Sequence, residues 1–267
     1  MIRVKQLLNV WFIITACAIS LHAQISSTHY LPPLKQSPVA GMQGQVIYLS
    51  TPETTAFDVN VYQGTSTTPI TTISISNSAP GVYTPPGGTG ANNSTMITPQ
   101  NAGIVVSVAG LRFDAPSGKQ FYMNWRAAEM NQGSSFVSLG KSALGTNFKW
   151  GGIPQVGFNR SNSSIGIMAT EDNTVVKISG YDPNCTFSKY VNGVLNPAAI
   201  TDDSLTITLN AFQTYTLESY ATVANSPNLS GWLGANISSN KNIAVNQGHI
   251  YLSIANGDYS MTQIAPT

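Results

Sequence analysis

The chain has 267 residues and a net charge of +1, and charged residues make up 9% of it, against roughly 25% in an ordinary soluble domain. Apolar residues at 42% are enough for a core, so the surface must be carried by Ser, Thr, Asn, Gln and Gly, as in extracellular β proteins and unlike a cytosolic enzyme. There is no basic excess to offer nucleic acid an electrostatic footprint.

The first element in chain order is an export signal over residues 1–23. Arg3 and Lys5 are followed by the apolar run LLNVWFIITACAISL and then by LHA, with Ala23 the small residue before cleavage and Gln24 the new N-terminus. The run is too short for a stable membrane span. ITAC, ending at Cys17, also fits a lipobox, which would make Cys17 a lipid-carrying N-terminus; cleavage at either place remains open. Either one leaves Cys185 without an intramolecular partner. Asn184 and Thr186 supply it with no base, so Cys185 reads as a buried small apolar residue.

After Gln24 the pattern is alternation, the period of a half-buried strand. VIYLS (46–50), FDVNVY (57–62), ITTISIS (70–76), GIVVSVAG (103–110) and FYMNW (121–125) show it first. IGIMAT (165–170), VVKISGY (175–181), SLTITLN (204–210), TYTLES (214–219) and IAVNQG (243–248) continue it. The gaps hold Gly, Pro, Asn and Ser turn sequences, ISSNK (237–241) among them. The best helix candidate, WRAAEMNQG (125–133), is short enough to be a turn. Many short strands between such turns indicate a sandwich or barrel.

An internal repeat is visible. VIYLSTPETTAFDVNVY (46–62) superposes on IGIMATEDNTVVKISGY (165–181) at a shift of 119, and LRFDAPSGKQFYMN (111–124) on LGANISSNKNIAVN (233–246) at a shift of 122. The expected architecture is all-β: two related antiparallel β-sandwich-like modules in tandem, 24–150 and 151–267, after the signal peptide. In this superposition the acidic pair Glu171–Asp172 falls on Pro52–Glu53, which makes it a turn between strands and not a metal site.

Catalytic and metal signatures are absent from the sequence. His29 and His249 are the histidines beyond the signal, and no His or Cys spacing suggests zinc. There is no nucleophile elbow, phosphate loop or dinucleotide fingerprint. The carboxylates, Glu218 among them, lie nearly all in or beside turns. No catalytic residue, metal or cofactor is expected. The candidate ligand-binding residue is Trp150, beside Gly151–Gly152, where it could be exposed; Trp125, alternating with Phe121 and Met123, is expected in the core.

HYLPPL (29–34), SALGTNFKW (142–150), IGIMATEDNTVVKISG (165–180) and DYSMTQIAPT (258–267), in this order, resemble the N-terminal region of the IgG Fc-binding-protein-like family. That region occurs in large exported surface proteins of Bacteroidetes, and a related one occurs in a mammalian mucus protein that binds IgG Fc. The resemblance covers most of residues 29–267. It implies an all-β region of a secreted or cell-surface protein acting in binding or adhesion, with an extracellular protein or a glycan (host mucin or matrix) as partner. It carries over no catalytic residues. The alternatives are a structural spacer and, less favoured, a glycan-active enzyme. Asp203-Ser204-Leu205 resembles the O-glycosylation acceptor of Bacteroidetes exported proteins, which marks Ser204. The second module lacks a counterpart of the stretch that follows the first, so an unpaired sheet edge is expected near the C-terminus, as in a fragment of a longer protein.

Overall fold

The computed structural model describes residues 24–35, 44–86, 94–129, 132–154, 161–221, 223–252 and 258–267. The segment expected to be an export signal, with Cys17 and Ala23, lies outside them; Gln24 is exposed at their start.

The strands of the first half are β1 (Thr28–Leu31), β2 (Leu34–Lys35), β3 (Val46–Ser50), β4 (Phe57–Gln63), β5 (Thr71–Ile75) and β6 (Gly81–Tyr83), followed by β7 (Met96–Ile97), β8 (Val105–Val106), β9 (Leu111–Asp114), β10 (Tyr122–Glu129) and β11 (Gln132–Val137). They build two four-stranded antiparallel sheets, β1-β9-β4-β5 and β11-β10-β3-β6. Alternation sets their inner faces. Val59 and Val61 of β4, Ile47 and Leu49 of β3, and Phe121, Met123 and Trp125 at and along β10 are fully buried in one cluster. The short helix or turn expected over 125–133 is instead strand at residues 125–129 and 132–133, with Trp125 opposite Ile47 and Phe136. Burial of every second residue outweighs the helix-favouring Ala127 and Ala128.

The second half contains β12 (Gly145–Lys149), β13 (Ser161–Ala169), β14 (Thr174–Ser179), β15 (Phe187–Val191) and β16 (Val194–Ile200), then β17 (Ser204–Leu209), β18 (Thr214–Ala221), β19 (Asn236–Leu252) and β20 (Asp258–Ile264). Strand β19 runs through it for 17 residues. Its first part lies between β14 and β12, and its second between β13 and β20. Strand β17 extends β14, and β18 extends β13. ISSNK, expected as a turn, is inside β19: Ile237 pairs with Ile178, and the partner strand changes from β14 to β13 after Ser239. The β15–β16 hairpin was not legible, since its outward residues leave only weak alternation.

The pairings run in the same order in both halves. Strands β9 and β10 do in two pieces what β19 does in one. Asn60 pairs with Asp114 and Ser179 with Asn236, equivalent positions in the sequence superposition. The β3–β10 and β13–β19 ladders differ by one residue: Leu49 faces Met123, but Met168 faces Ala244. The Thr51 hydroxyl donates to the Gln120 carbonyl at 2.7 Å, and the equivalent Thr170 hydroxyl to Asn242 at 2.8 Å.

The halves interlock. Strand β12, expected in the first module, pairs with β19, and Phe148 and Trp150 join the second core cluster. Strand β8 adds to the edge of β18, and Met261 of β20 is buried in the first cluster. Near the C-terminus β20 pairs along β19 from Val245 to Leu252 and has no second partner strand among the described residues; its Met261 N–H donates to Ser134 Oγ of β11 at 3.2 Å. The segment from β1 to β2 crosses β13, β18 and β19. Asn246 Nδ2 donates to the Pro32 carbonyl at 2.8 Å, Thr216 Oγ1 to Pro33 at 3.0 Å, and Gln263 Nε2 to Tyr30 at 2.8 Å.

Two glycines make the crossing possible. A Cβ on Gly166 would stand 2.0 Å from the Pro33 carbonyl oxygen, and one on Gly248 2.9 Å from Leu34 and 1.9 Å from the Ser260 carbonyl. Gly166→Ala must push the crossing segment off the sheet, and a cost of about 1–3 kcal/mol or more is expected from overpacking against backbone. Urea denaturation should show it, while Gly133→Ala, whose added carbon meets nothing closer than 3.5 Å, should leave the midpoint nearly unchanged.

Candidate functional site

Trp150, the expected binding residue, is 0% exposed. Its ring lies 5.9 Å from Phe187 and 5.2 Å from Trp232, centroid to centroid. A ligand could stack on it only by displacing one of these rings, so the expectation of an exposed platform is corrected. The reason is β12: pairing with β19 turns Trp150 into the second core. Trp125 is buried as expected, and its Nε1 donates to Gln45 Oε1 at 3.1 Å. Ser204 is exposed at the start of β17, an outer strand.

Glu171 and Asp172 are exposed in the turn between β13 and β14. Asp172 Oδ1 accepts from the Ala211 N–H at 2.9 Å, and the Asp172 carbonyl accepts from Lys241 Nζ at 2.7 Å. At the equivalent turn Lys119 Nζ donates to Glu53 Oε2 at 2.8 Å. Both turns are therefore held by a lysine from the equivalent sequence position, Lys119 between β9 and β10 and Lys241 within β19. Among the described residues no group of three His, Cys, Asp or Glu could hold a metal. Cys185 is buried, and burial, then the nearby Asp182 charge, pushes its thiol up to about 11. It is protonated and unreactive at neutral pH.

The surface best suited to recognition is the outer face of β11-β10-β3-β6. The alternation that buries Ile47, Leu49, Met123 and Trp125 turns Tyr48, Tyr122, Asn124 and Arg126 outward. Tyr48 lies opposite Asn124 on β10 and Val82 on β6, and Asn124 lies opposite Val137 on β11. Tyr48, Val82, Tyr122 and Val137 are 42%, 53%, 40% and 39% exposed. The Arg126 guanidinium stands 5.3 Å from the Tyr48 ring centroid, a cation–π distance, and its Nε donates to Asn124 Oδ1 at 2.8 Å. An open depression of about 560 Å³ between Gly44, Tyr48, Arg126 and Ser135 adjoins them. Two tyrosines, an arginine and an asparagine offer large contact area at low entropic cost together with adaptable hydrogen bonding. The signal was present in VIYLS and FYMNWR, where the outward positions are aromatic or charged instead of Ser and Thr.

This arrangement defines an all-β protein with an exposed sheet face that carries Tyr48, Tyr122 and Arg126. The chain belongs to the IgGFc binding protein family, whose model matches residues 134–267. The match begins inside β11 and covers the second half. No curated protein matches the chain, and no solved structure does. Among the described residues no helix is long and apolar enough to cross a membrane.

His29 is fully buried, its Nε2–H donates to the Phe121 carbonyl at 2.8 Å, and burial lowers its pKa to about 4 against the weaker opposing effect of that bond. His249 is lowered by burial as well, partly offset by its bond to the Asn162 carbonyl. Between pH 6.5 and 4 the unfolded chain binds protons that the folded chain refuses. The contribution of His29 is therefore complete above pH 6.5 and declines as pH falls toward 4, by about 3 kcal/mol in all. Denaturation midpoints at pH 7.5, 6 and 5 should fall in that order, and His29→Gln should flatten the slope. Trp150→Ala should cost about 3–5 kcal/mol as a core cavity, read in the same denaturation experiment.

Proposed function

We propose that this chain is a non-enzymatic binding module of an exported protein, acting in adhesion at the cell surface, and that the outer face of β11-β10-β3-β6 holds its partner. The observation that carries the reading is the cluster of Tyr48, Tyr122, Asn124 and Arg126 on one exposed face, flanked by Val82 and Val137. Membership of a family described as IgGFc binding protein supports an extracellular protein as the partner class. The composition and the N-terminal signal segment support export. The shared strand order and the paired Thr51 and Thr170 bonds support two related modules, tied together instead of free in tandem. Ser204, exposed on an outer strand, is the proposed glycan attachment point.

The test is binding of the folded chain to immobilised IgG Fc, mucin glycoproteins and matrix proteins. Saturable binding to one class is expected, weakened tenfold or more by Tyr48→Ala or Arg126→Ala, truncations of the kind that dominate interface energetics. Their denaturation midpoints should stay close to that of the unaltered chain, since both side chains are surface residues. Binding that survives both substitutions and Tyr122→Ala would place the partner elsewhere. No binding to any class would favour a spacer.

A further inference from the structure

Lys35, Asn162 and Glu218 come from three strands and meet inside the protein. Lys35 ends β2, Asn162 lies near the start of β13, and Glu218 is in β18. In the β13–β18 ladder Ser164 faces Glu218 and Asn162 faces Tyr220, so Asn162 and Glu218 are diagonal neighbours on one face. All three are buried, at 0%, 0% and 1% exposure. Lys35 Nζ stands 3.2 Å from Glu218 Oε1, and Asn162 Nδ2 donates to that same oxygen at 2.7 Å. One carboxylate oxygen thus holds an amine and a carboxamide side by side, away from water.

A buried ammonium–carboxylate pair adds little net stability, because desolvation offsets the attraction. The trio does supply everything an acyl transfer needs: a nucleophile, an electrophile and a proton carrier between them. We propose that Lys35 and Asn162 become joined by an isopeptide bond, formed by the folded chain itself with Glu218 as the catalytic acid and base.

Glu218 takes a proton from the Lys35 ammonium. The freed amine attacks Asn162 Cγ, and the carbonyl π electrons move onto Oδ1. Glu218 passes its proton to Nδ2 and takes one from the attacking nitrogen. The oxyanion collapses, the Cγ–Nδ2 bond breaks, and ammonia leaves, carrying away the last of these protons as ammonium. One C–N bond forms as another breaks, and no oxidant or cofactor is involved. Exclusion of water keeps the amide from being hydrolysed to Asp instead. The main chain at Asn162 is held for the attack, since His249 Nδ1–H donates to its carbonyl at 2.7 Å. The product ties the crossing segment covalently to β13, closing a long loop and limiting the freedom of the unfolded chain.

The test is the intact mass of the purified full chain under denaturing conditions, followed by protease digestion and fragment sequencing. The expected mass is lighter than that of the sequence by one ammonia, with a branched peptide linking Lys35 to Asn162. Lys35→Arg, Asn162→Ala and Glu218→Gln should each give the full mass and no branched peptide. Cyclisation of Gln24 at a processed N-terminus also expels ammonia, but it leaves no branch and is untouched by these substitutions. A wild-type chain that unfolds cooperatively yet shows an unbranched Lys35 peptide would overturn the proposal, whether or not the variants fold.

Discussion

The two halves are held as one body by the short segment from Thr28 to Lys35, laid across the sheet of the second half. Burying backbone there is possible only if every polar group finds a partner. Pro32 and Pro33 remove two donors from the demand, since proline has no N–H. Their carbonyls are met by Asn246 and Thr216, that of Tyr30 by Gln263, and the Leu34 N–H by the Thr95 carbonyl at 3.1 Å. Gly166 lies beneath because any side chain there would strike the Pro33 carbonyl. The side chains of Leu31 and Leu34 then seal the contact in the first core.

Much else follows from that crossing. Trp150 and Trp232 lie in the core of the second half instead of on a surface. Met261 and Gln263 of the last strand become common to both halves: the first enters the first core, and the second accepts from Ser138 Oγ at 3.0 Å and the Leu139 N–H at 2.8 Å. The family match begins at residue 134, yet the sheet it covers is completed by β1 to β2 contacts from outside it. The outer face of β11-β10-β3-β6 keeps Tyr48 and Tyr122 exposed, with the Arg126 guanidinium over the Tyr48 ring.

Alternation made most strands legible, because a half-buried strand must place an apolar residue at every second position. The turn at Glu171–Asp172 was legible from the repeat, since a position occupied by Pro52 in the other half cannot be an obligatory ligand. ISSNK and WRAAE are strand and not turn or helix for one reason: local turn and helix preferences are weak, and pairing with neighbouring strands outweighs them. Trp150 is inward and not exposed because β12, which it follows, leaves the half in which sequence order puts it.

The strand period, the buried character of Cys185 and Trp125, and the low-charge surface are all legible in the chain, because each is a consequence of neighbouring residues. Which strands share a sheet, the inward turn of Trp150 and the meeting of Lys35, Asn162 and Glu218 are set only when the chain closes on itself. Those depend on contacts between residues as far apart as 35 and 218. No local pattern encodes such a meeting; it arises when the chain closes its large loops and excludes water from between them.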